Sequence, residues 1–302
     1  MDDERFIVYR IHFTEKTIKL KLKAIQNKFH EVLDSIYVSE EVDSFFYILI
    51  DFYFSISRIQ LAMNSDLEVL KTDVIFEALD ALKHQKPIQY ITGETEFYGL
   101  SFKVSADTLI PRPETEELVD WVIKEFKTHN SEFRILDIGT GTGCIAISLA
   151  KNLPNAKVYA LDVSKQAIEV AKQNADLNTI EIKFIEADIL NMDPKFDLKF
   201  DIIVSNPPYI TEQEKQLMKP NVLDNEPHLA LFVYDENPLL FYEAITQFAI
   251  HNLNENGHLF FEINEYLGND MIQLLLKNNF ENIELKQDIF RKDRMIKASL
   301  KE

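Results

Sequence analysis

The chain has 302 residues, of which 46% are hydrophobic, so its length and composition allow two domains with sizeable buried cores. Lys and Arg total 32 against 50 Asp and Glu, which gives a formal net charge of -18 at pH 7. Proteins that bind nucleic acid by neutralising its phosphates usually present a basic face. This balance therefore favours a protein or small-molecule partner, and we expect no direct binding of nucleic acid.

Cysteine usage and apolar segments indicate the compartment. The single cysteine, Cys144, allows no disulfide within the chain, which fits a reducing environment. The first residues are acidic and no apolar segment follows them, so no secretory signal is expected. The most apolar stretch, residues 45–54, is interrupted by Asp51 and is too short to span a bilayer. We therefore expect a cytoplasmic protein with no membrane partner.

Residues 1–86 are predicted to form a small all-α bundle. Their apolar residues recur at spacings of three and four, which is the helical period. No proline occurs before Pro87 and no glycine before Gly93, as suits a run of helices. Ser65 and Glu68 have the spacing of a capping box, which predicts that a helix begins there.

Residues 87–112 have a different composition, in which prolines and glycines separate short β-prone pieces. This pattern predicts a connector that contains a β-hairpin. A helix is expected from Glu114 to Lys127, because Pro113 suits the first turn of a helix.

Residues 113–302 are predicted to form an α/β domain, because strand and helix patterns alternate from residue 134 onward. The strand candidates are residues 134–140, 157–163, 181–187, 201–205, 258–263, 283–290 and 295–300. The last two are separated only by a short break, which indicates a terminal antiparallel hairpin. The fold class is therefore a mostly parallel, seven-stranded, doubly wound sheet with helices on both faces.

The first of these strands runs into a loop with glycines at alternate positions. Gly139, Gly141 and Gly143 are separated by Thr140 and Thr142. Such glycines let the backbone turn sharply and approach a ligand closely. The loop also satisfies the weaker dinucleotide pattern G-x-G-x-x-G/A. The loop alone therefore does not decide between a dinucleotide and S-adenosylmethionine.

Acidic residues around the loop favour S-adenosylmethionine. Asp137 precedes the loop, where a carboxylate attracts a cationic amino-acid group and would repel a pyrophosphate. Asp162 ends the second strand, where a carboxylate can accept both hydroxyls of a ribose. Asp188 and Ile189 follow the third strand and are placed to meet the polar edge and the apolar face of an adenine.

The fourth strand runs into a tetrapeptide, the NPPY loop, made of Asn206, Pro207, Pro208 and Tyr209. This position is the carboxyl edge of the sheet, beside the cofactor crevice. A planar amide or exocyclic amine nitrogen is a poor nucleophile because its lone pair is delocalised. The Asn206 side-chain oxygen and the rigid Pro207 carbonyl can accept its two N–H groups, and the Tyr209 ring can lie against the flat group.

We therefore predict methyl transfer to a planar nitrogen. Asn206, Pro207 and Tyr209 are the predicted catalytic residues, the whole NPPY loop is the predicted substrate site, and no metal is expected. Asn206 is also assigned to the cofactor site.

At these residues the sequence resembles the class I amino methyltransferases, which act on protein glutamine or on amino groups of nucleic-acid bases. Residues 87–93, 96–100, 110–116 and 226–231 are more discriminating and resemble the HemK-type release factor glutamine methyltransferases. The resemblance implies a methyltransferase sheet in residues 113–302 and an N-terminal helical domain, residues 1–86, that recognises a peptide chain release factor. It implies methylation of N5 of the glutamine in that factor's Gly-Gly-Gln loop, with Arg112 and Glu114 shaping the lid of the site.

The sequence departs from this family at two places, and three alternatives remain. Residues 232–238 replace a turn that is usually glycine-rich, and Asn264 stands where the family often has glycine. A base-amino methyltransferase is disfavoured by the acidic balance and the connector. A non-catalytic S-adenosylmethionine sensor is disfavoured by the intact NPPY loop. An NAD oxidoreductase is the most distant alternative.

Overall fold

The structure is a computed structural model that describes residues 19–64, 66–193, 195–216, 218, 220–233 and 235–301. The chain divides between Ile88 and Gln89 into two compact units. Among the helices within these ranges, none has both the length and the apolarity needed to cross a lipid bilayer. The predicted capping residue Ser65 lies outside the described residues.

The first unit is built mainly from helices around an apolar core. Helical spacing places Leu22, Ile25 and Phe29 on the buried face of the first helix. The ring of Phe29 contacts that of Phe46 edge-on, with 5.7 Å between the ring centroids. The helices are α1 (Leu22–Leu33), α2 (Ser39–Phe54), α3 (Arg58–Met63) and α4 (Asp73–Lys83).

The prediction that this unit is all-α was wrong in one detail. A short strand β1 (Leu20–Lys21) pairs antiparallel with β2 (Glu68–Val69). Glu68 therefore lies in a strand, and the helix predicted to begin near it starts instead at Asp73. The physical reason is Lys71, whose left-handed φ of 59° interrupts a right-handed helix.

A short helix and a hairpin follow in the chain. Helix α5 (Ile88–Thr92) leads into β3 (Glu94–Phe97) and β4 (Leu100–Lys103), which pair antiparallel. The turn residues Tyr98 and Gly99 have positive φ values of 50° and 71°, as in the tight turns that suit the twist of a hairpin. The hairpin belongs to the second unit.

The second unit contains the predicted mostly parallel, seven-stranded sheet. Its strands are β5 (Phe133–Ile138), β6 (Ala156–Asp162), β7 (Lys183–Glu186), β8 (Phe200–Ser205), β9 (Leu253–Glu262), β10 (Phe280–Gln287) and β11 (Asp293–Leu300). The order across the sheet is β10-β11-β9-β8-β5-β6-β7. Strand β11 runs antiparallel to both of its neighbours, β10 and β9. The pairs β5–β6, β6–β7, β5–β8 and β8–β9 are parallel. The predicted fold, including the terminal antiparallel hairpin, is confirmed.

Helices cover both faces of this sheet. Alternation along β5 sends Ile135 into one apolar cluster and Leu136 into the other. The first cluster includes Trp121 and Ile147, and the second includes Phe248 and Met271. The helices of this unit are α6 (Pro113–Phe126), α7 (Cys144–Asn152), α8 (Lys165–Asn178), α9 (Glu212–Lys215), α10 (Pro220–Leu223), α11 (His228–Leu231), α12 (Leu240–Asn252) and α13 (Gly268–Lys277).

Asn174 on α8 joins the hairpin to the glycine loop. Its side chain is fully buried. The side-chain oxygen accepts the N–H of Lys103 at 2.6 Å, and the side-chain nitrogen donates to the carbonyls of Lys103 and Thr142 at 3.0 and 2.9 Å. One amide therefore satisfies three backbone groups that belong to two different segments.

We expect Asn174→Ala to lower the free energy of unfolding by about 2–3 kcal/mol, because backbone groups of Lys103 and Thr142 lose their hydrogen-bond partners. The measurement is urea denaturation followed by the fluorescence of Trp121, the single tryptophan, which is buried in the second unit. Lys172→Ala on the same helix is the control: it removes only an exposed ion pair and should change stability by less than about 0.5 kcal/mol. Equal stability of the Asn174→Ala variant and the wild type would contradict the proposed link.

Candidate active site

A cavity of about 230 Å³ lies at the carboxyl edge of the sheet in the second unit. The strand order reverses there: in chain order, β6 and β7 are added on one side of β5, and β8 is then added on the other. Crevices at such a reversal are the usual ligand sites of α/β sheets. Of the predicted site residues, those that line the cavity are Gly139, Gly141, Asp162, Asp188, Ile189, Asn206, Pro207 and Pro208.

The remaining predicted site residues lie behind this lining. They are Asp137, Thr140, Thr142, Gly143 and Tyr209. The lining also includes residues that the sequence analysis did not assign to the site, notably Asp107 and Thr108 ahead of α6, and Pro227, Leu229 and Ala230, which it named only as part of a family motif. Sequence spacing gives no direct signal for these residues, because they come from loops far from the glycine loop in the chain.

The glycine loop joins β5 to α7 through residues in the left-handed region. Gly141 has a φ of 54°, and a Cβ atom added there would meet nothing within 4 Å, so its backbone borders open space. Gly143 has a φ of 80°, and a Cβ atom there would lie 3.0 Å from Ile147 and 3.2 Å from Ala171. Gly141 thus gives a ligand access to the backbone, and Gly143 allows α7 to pack closely on α8.

Asp162 holds the loop and faces the cavity. Its Oδ2 accepts the N–H of Gly141 at 2.8 Å, and its Oδ1 accepts the N–H of Ser164 at 2.9 Å. Burial raises the pKa of Asp162, while these backbone hydrogen bonds act in the opposite direction. Each carboxylate oxygen still has a lone pair that a hydroxyl in the cavity could use.

Asp188 and Ile189 form the next part of the wall. The carboxylate of Asp188 accepts the N–H of Leu190 at 2.9 Å and the side-chain N–H of Asn191 at 2.6 Å. These bonds fix the turn after β7, which leaves the side chain of Ile189 against the cavity. A fixed polar group beside an apolar surface suits one edge and one face of a planar heterocycle.

Asp137 does not reach the cavity. It is fully buried, and its Oδ2 accepts the hydroxyl proton of Thr140 at 2.6 Å, so it braces the glycine loop from beneath. Burial raises its pKa to about 7, and the hydrogen bonds from Thr140 and the backbone of Ala146 oppose that rise. Asp137 was predicted to contact a cationic ligand group directly, and its position behind the lining leaves it in contact with the glycine loop.

The charge of the lining distinguishes between cofactor classes. Asp107, Asp162 and Asp188 line the cavity, and none of its described lining residues is Lys, Arg or His. A pyrophosphate would be repelled by these carboxylates. The site is therefore better suited to a ligand that carries positive charge and ribose hydroxyls than to a dinucleotide.

The NPPY loop follows β8 and is held from behind by two buried residues. The side-chain nitrogen of Asn206 donates to Thr115 Oγ1 at 3.3 Å, and that hydroxyl donates to Glu262 Oε2 at 2.6 Å. The Tyr209 hydroxyl donates to Glu262 Oε1 at 3.2 Å. Tyr209 therefore lies against Glu262, although it was predicted to form a wall for the substrate.

Asn264 further fastens the NPPY loop. Its side-chain nitrogen donates to the carbonyl of Tyr209 at 3.3 Å and to Glu214 Oε1 at 2.9 Å. This residue was singled out only as a departure from glycine, and the structure gives it a defined role. Within residues 232–238, Phe232 forms an isolated bridge with Ile210, while Tyr234 lies outside the described residues.

An ion pair between half-buried Arg112 and buried Glu226 connects two walls of the cavity. Arg112 Nη2 lies 2.5 Å from Glu226 Oε1, and Glu226 Oε2 accepts the N–H of Ile110 at 3.3 Å. Glu226 is buried and directly precedes lining residue Pro227, while Ile110 follows lining residue Leu109. The predicted lid role of Arg112 is consistent with this contact, whereas Glu114 lies half-buried in the first turn of α6.

The sheet, the glycine loop and the NPPY loop together define a methyltransferase fold. A profile described as "Methyltransferase small domain" matches residues 119–229. A release factor glutamine methyltransferase from Flavobacterium psychrophilum is 51% identical over 284 residues, which is 93% of this chain and 99% of that protein. One from Bacteroides thetaiotaomicron is 43% identical over 269 residues, which is 88% of this chain and 96% of that protein.

The similarity to these two relatives extends over both units. The chain belongs to the release factor glutamine methyltransferase family, which confirms the resemblance seen in the sequence. Among solved structures, a methyltransferase from Pyrococcus furiosus shares the fold, with a TM-score of 0.51 at 18% identity over 68% of this chain and 91% of that one.

The buried carboxyl of Asp137 gives a testable dependence of stability on pH. Its pKa is about 7 in the folded state against 3.8 as the ordinary value, so between these values the folded chain binds a proton that the unfolded chain has lost. The free energy of unfolding therefore falls as the pH rises through this window. In Asp137→Asn this fall should be absent. The free energy of unfolding of the variant should therefore increase by about 2 kcal/mol relative to that of the wild type between about pH 5.5 and 8.

Urea denaturation across this range measures the effect. Asp176→Asn, at an exposed position on α8, is the control and should reproduce the wild-type dependence on pH. Parallel curves for Asp137→Asn and the wild type would show that Asp137 is ionised throughout.

Proposed function

We propose that this protein transfers a methyl group from S-adenosylmethionine to N5 of the glutamine in the Gly-Gly-Gln loop of peptide chain release factors. The observation that carries the proposal is the position of Asn206, which lines the same cavity as Asp162. The side-chain nitrogen of Asn206 is engaged by Thr115, so its oxygen is left to accept an N–H from a substrate amide. The substrate is inferred from the names of the relatives.

The residues around the cavity fit S-adenosylmethionine, which when bound supplies an electrophilic methyl group on a sulfonium. Asp162 is proposed to accept the ribose hydroxyls. Asp188 and Ile189 are proposed to meet the adenine edge and face. The open backbone at Gly141 lets the cofactor approach closely, and the acidic lining favours its positive charge. Asp137 contributes by bracing the glycine loop.

The chain's own part in the reaction is to hold the substrate amide. The Asn206 oxygen and the Pro207 carbonyl are proposed to accept its two N–H groups, which directs the nitrogen lone pair toward the methyl donor. Proline has a fixed φ and no N–H, so its carbonyl is a rigid acceptor. No side chain has to remove a proton before the transfer, because most of the rate is proposed to arise from positioning and electrostatics; the methylated nitrogen then releases one of its protons to water.

The rest of the proposal concerns the partner. We assign recognition of the release factor to the first, helical unit, and we assign residues 113–302 to catalysis. Action on a translation factor places the enzyme in the cytoplasm. The net charge of -18 supports a protein substrate over a nucleic acid.

The decisive experiment is transfer of a radiolabelled methyl group to purified release factor, beside a release factor in which the Gly-Gly-Gln glutamine is replaced by alanine. We expect labelling of the first and none of the second. DNA and RNA are included as competing acceptors. Equal labelling of the two release factors, or labelling of nucleic acid alone, would refute the proposal, and the second outcome would favour a base-amino methyltransferase.

Asn206→Ala should separate binding from catalysis. We expect kcat to fall roughly 100-fold or more, because one acceptor for the substrate amide is lost. The Kd for S-adenosylmethionine should change by less than about threefold, as measured by calorimetry with NAD as a second titrant that should not bind. Asn155→Ala, at an exposed position before β6, is the matched control and should keep wild-type turnover. Undiminished turnover by Asn206→Ala would remove this residue from the mechanism.

A further inference from the structure

We propose that Thr115 and Glu262 are positioning residues that fix the side-chain amide of Asn206 with its oxygen toward the cavity. The inference rests on the proposed methylation of a planar amide. It concerns two residues that lie behind Asn206, in separate elements of the second unit, and that do not line the cavity.

The network begins at a buried carboxylate. Glu262 is the last residue of β9, and Thr115 lies in the first turn of α6; both are about 2% exposed. Glu262 accepts a hydroxyl proton on each oxygen, from Thr115 at 2.6 Å and from Tyr209 at 3.2 Å. In these two bonds the carboxylate is only an acceptor, so it returns no proton to Thr115.

This arrangement determines what Thr115 can offer to Asn206. A hydroxyl has one proton, and the hydroxyl of Thr115 uses it to donate a hydrogen bond to Glu262. Toward Asn206, therefore, the Thr115 oxygen can only accept. At 3.3 Å the Asn206 group facing it must be the NH2, since the side-chain oxygen would place two acceptors in contact.

The orientation matters because the two ends of an asparagine amide have nearly the same shape and opposite hydrogen-bonding character. With its nitrogen toward Thr115, Asn206 presents its oxygen to the substrate. The reversed amide would present N–H groups to the N–H groups of the substrate. The substrate nitrogen would then lose one acceptor, and its lone pair would no longer be aimed at the methyl donor.

The groups around Glu262 only partly oppose the effect of its burial, and its pKa lies above the ordinary value. Burial raises the pKa of Glu262, while the hydrogen bond from Thr115, the charge of Arg294 and the hydrogen bond from Tyr209 act in the opposite direction. Arg294 itself is held by Asp288, with 3.0 Å between Nε and Oδ2. Hydrogen bonds thus reach the carboxylate from helix α6 and the NPPY loop, and the charge of Arg294 on strand β11 acts on it without a direct hydrogen bond among the described contacts.

Thr115→Val tests the inference, because it removes the hydroxyl and keeps the shape. We expect kcat for release factor methylation to fall roughly 10- to 100-fold. KM for release factor and the Kd for S-adenosylmethionine should each stay within about threefold, since neither surface is changed. Thr115→Ser keeps the hydroxyl and should recover kcat to within about threefold of the wild type.

A matched control excludes a general effect of removing a buried hydroxyl. Thr246 on α12 is buried, and its hydroxyl has no hydrogen-bond partner among the described residues. Thr246→Val should keep wild-type kcat. Thermal unfolding of Thr115→Val, Thr115→Ser and Thr246→Val reports whether the folded state is retained.

A double-mutant cycle identifies the route of the effect. If Thr115 acts through Asn206, Thr115→Val should change the residual kcat of Asn206→Ala by less than about twofold. A purely structural role would instead lower it by the same factor as in the wild type. Glu262→Gln is the second variant. Its NH2 group can donate to Thr115, so the Thr115 hydroxyl could then donate to Asn206 and favour the reversed amide. We expect kcat to fall by about tenfold or more.

The outcomes separate this inference from the proposed function. If the wild type does not label release factor, the proposed function fails and the inference fails with it. If the wild type labels release factor and Thr115→Val matches it, or the double-mutant cycle is additive, only the positioning role is overturned. Loss of kcat with recovery by serine and a non-additive cycle supports it.

Discussion

The parallel pairing of four central strands is the constraint on which the site depends. One row of paired residues crosses the sheet through Leu161, Ile138, Ser205 and Phe261. The residues that follow these four in the chain are Asp162, Gly139, Asn206 and Glu262, respectively. Because parallel strands end at the same edge, residues that are far apart in the chain are brought side by side by backbone hydrogen bonds alone. Sheet register therefore sets the spacing between Asp162 and Asn206 before any loop is considered.

Buried carboxylates convert this register into a fixed site. Asp137, Glu226 and Glu262 are each buried, and burial of a carboxylate costs free energy unless donors satisfy it. The donors come from other elements: a loop hydroxyl for Asp137, the connector for Glu226, and α6 with the NPPY loop for Glu262. Moving any of these segments would leave a buried carboxyl group without a hydrogen-bond donor, which is unfavourable. Hydrogen bonds to these buried acids therefore hold the loops at defined positions.

The parts of the site that lie on one continuous segment could be predicted from the sequence. The glycine loop follows an apolar strand directly, and the NPPY loop follows another, so local patterns were sufficient to place both at the carboxyl edge. The predicted ends of most strands differ from the observed ends by a few residues, as for β9, which was expected at 258–263 and spans Leu253–Glu262. The largest local error, at Lys71, arose because a left-handed residue that is not glycine leaves no mark in a hydrophobic pattern.

Other parts could not be predicted, because they depend on contacts between distant segments. Thr115 lies 91 residues from Asn206 and 147 residues from Glu262 in the chain. A threonine in the first turn of a helix is common and carries no signal of its own. Glu262 did carry one, since a carboxylate at the end of the buried run Leu259-Phe260-Phe261 has to find donors. The donors themselves become evident only once α6 is placed over the sheet.

The chemistry of the NPPY loop explains why substrate choice has to be made elsewhere. Two acceptors that grip a planar NH2 group would suit the amide of glutamine and the exocyclic amine of a base equally well, because both present two N–H groups in one plane. The cavity lining adds carboxylates and apolar groups but no Lys or Arg among its described residues, so it offers nothing to the phosphates that flank a base. Under the proposed function, discrimination against nucleic acid would be electrostatic, and selection among proteins would require contacts outside the cavity. Holding the substrate amide and selecting the protein partner are thus two separate tasks under the proposed function. Assigning the first to the NPPY loop and the second to the helical unit would let either set of residues vary without disturbing the other.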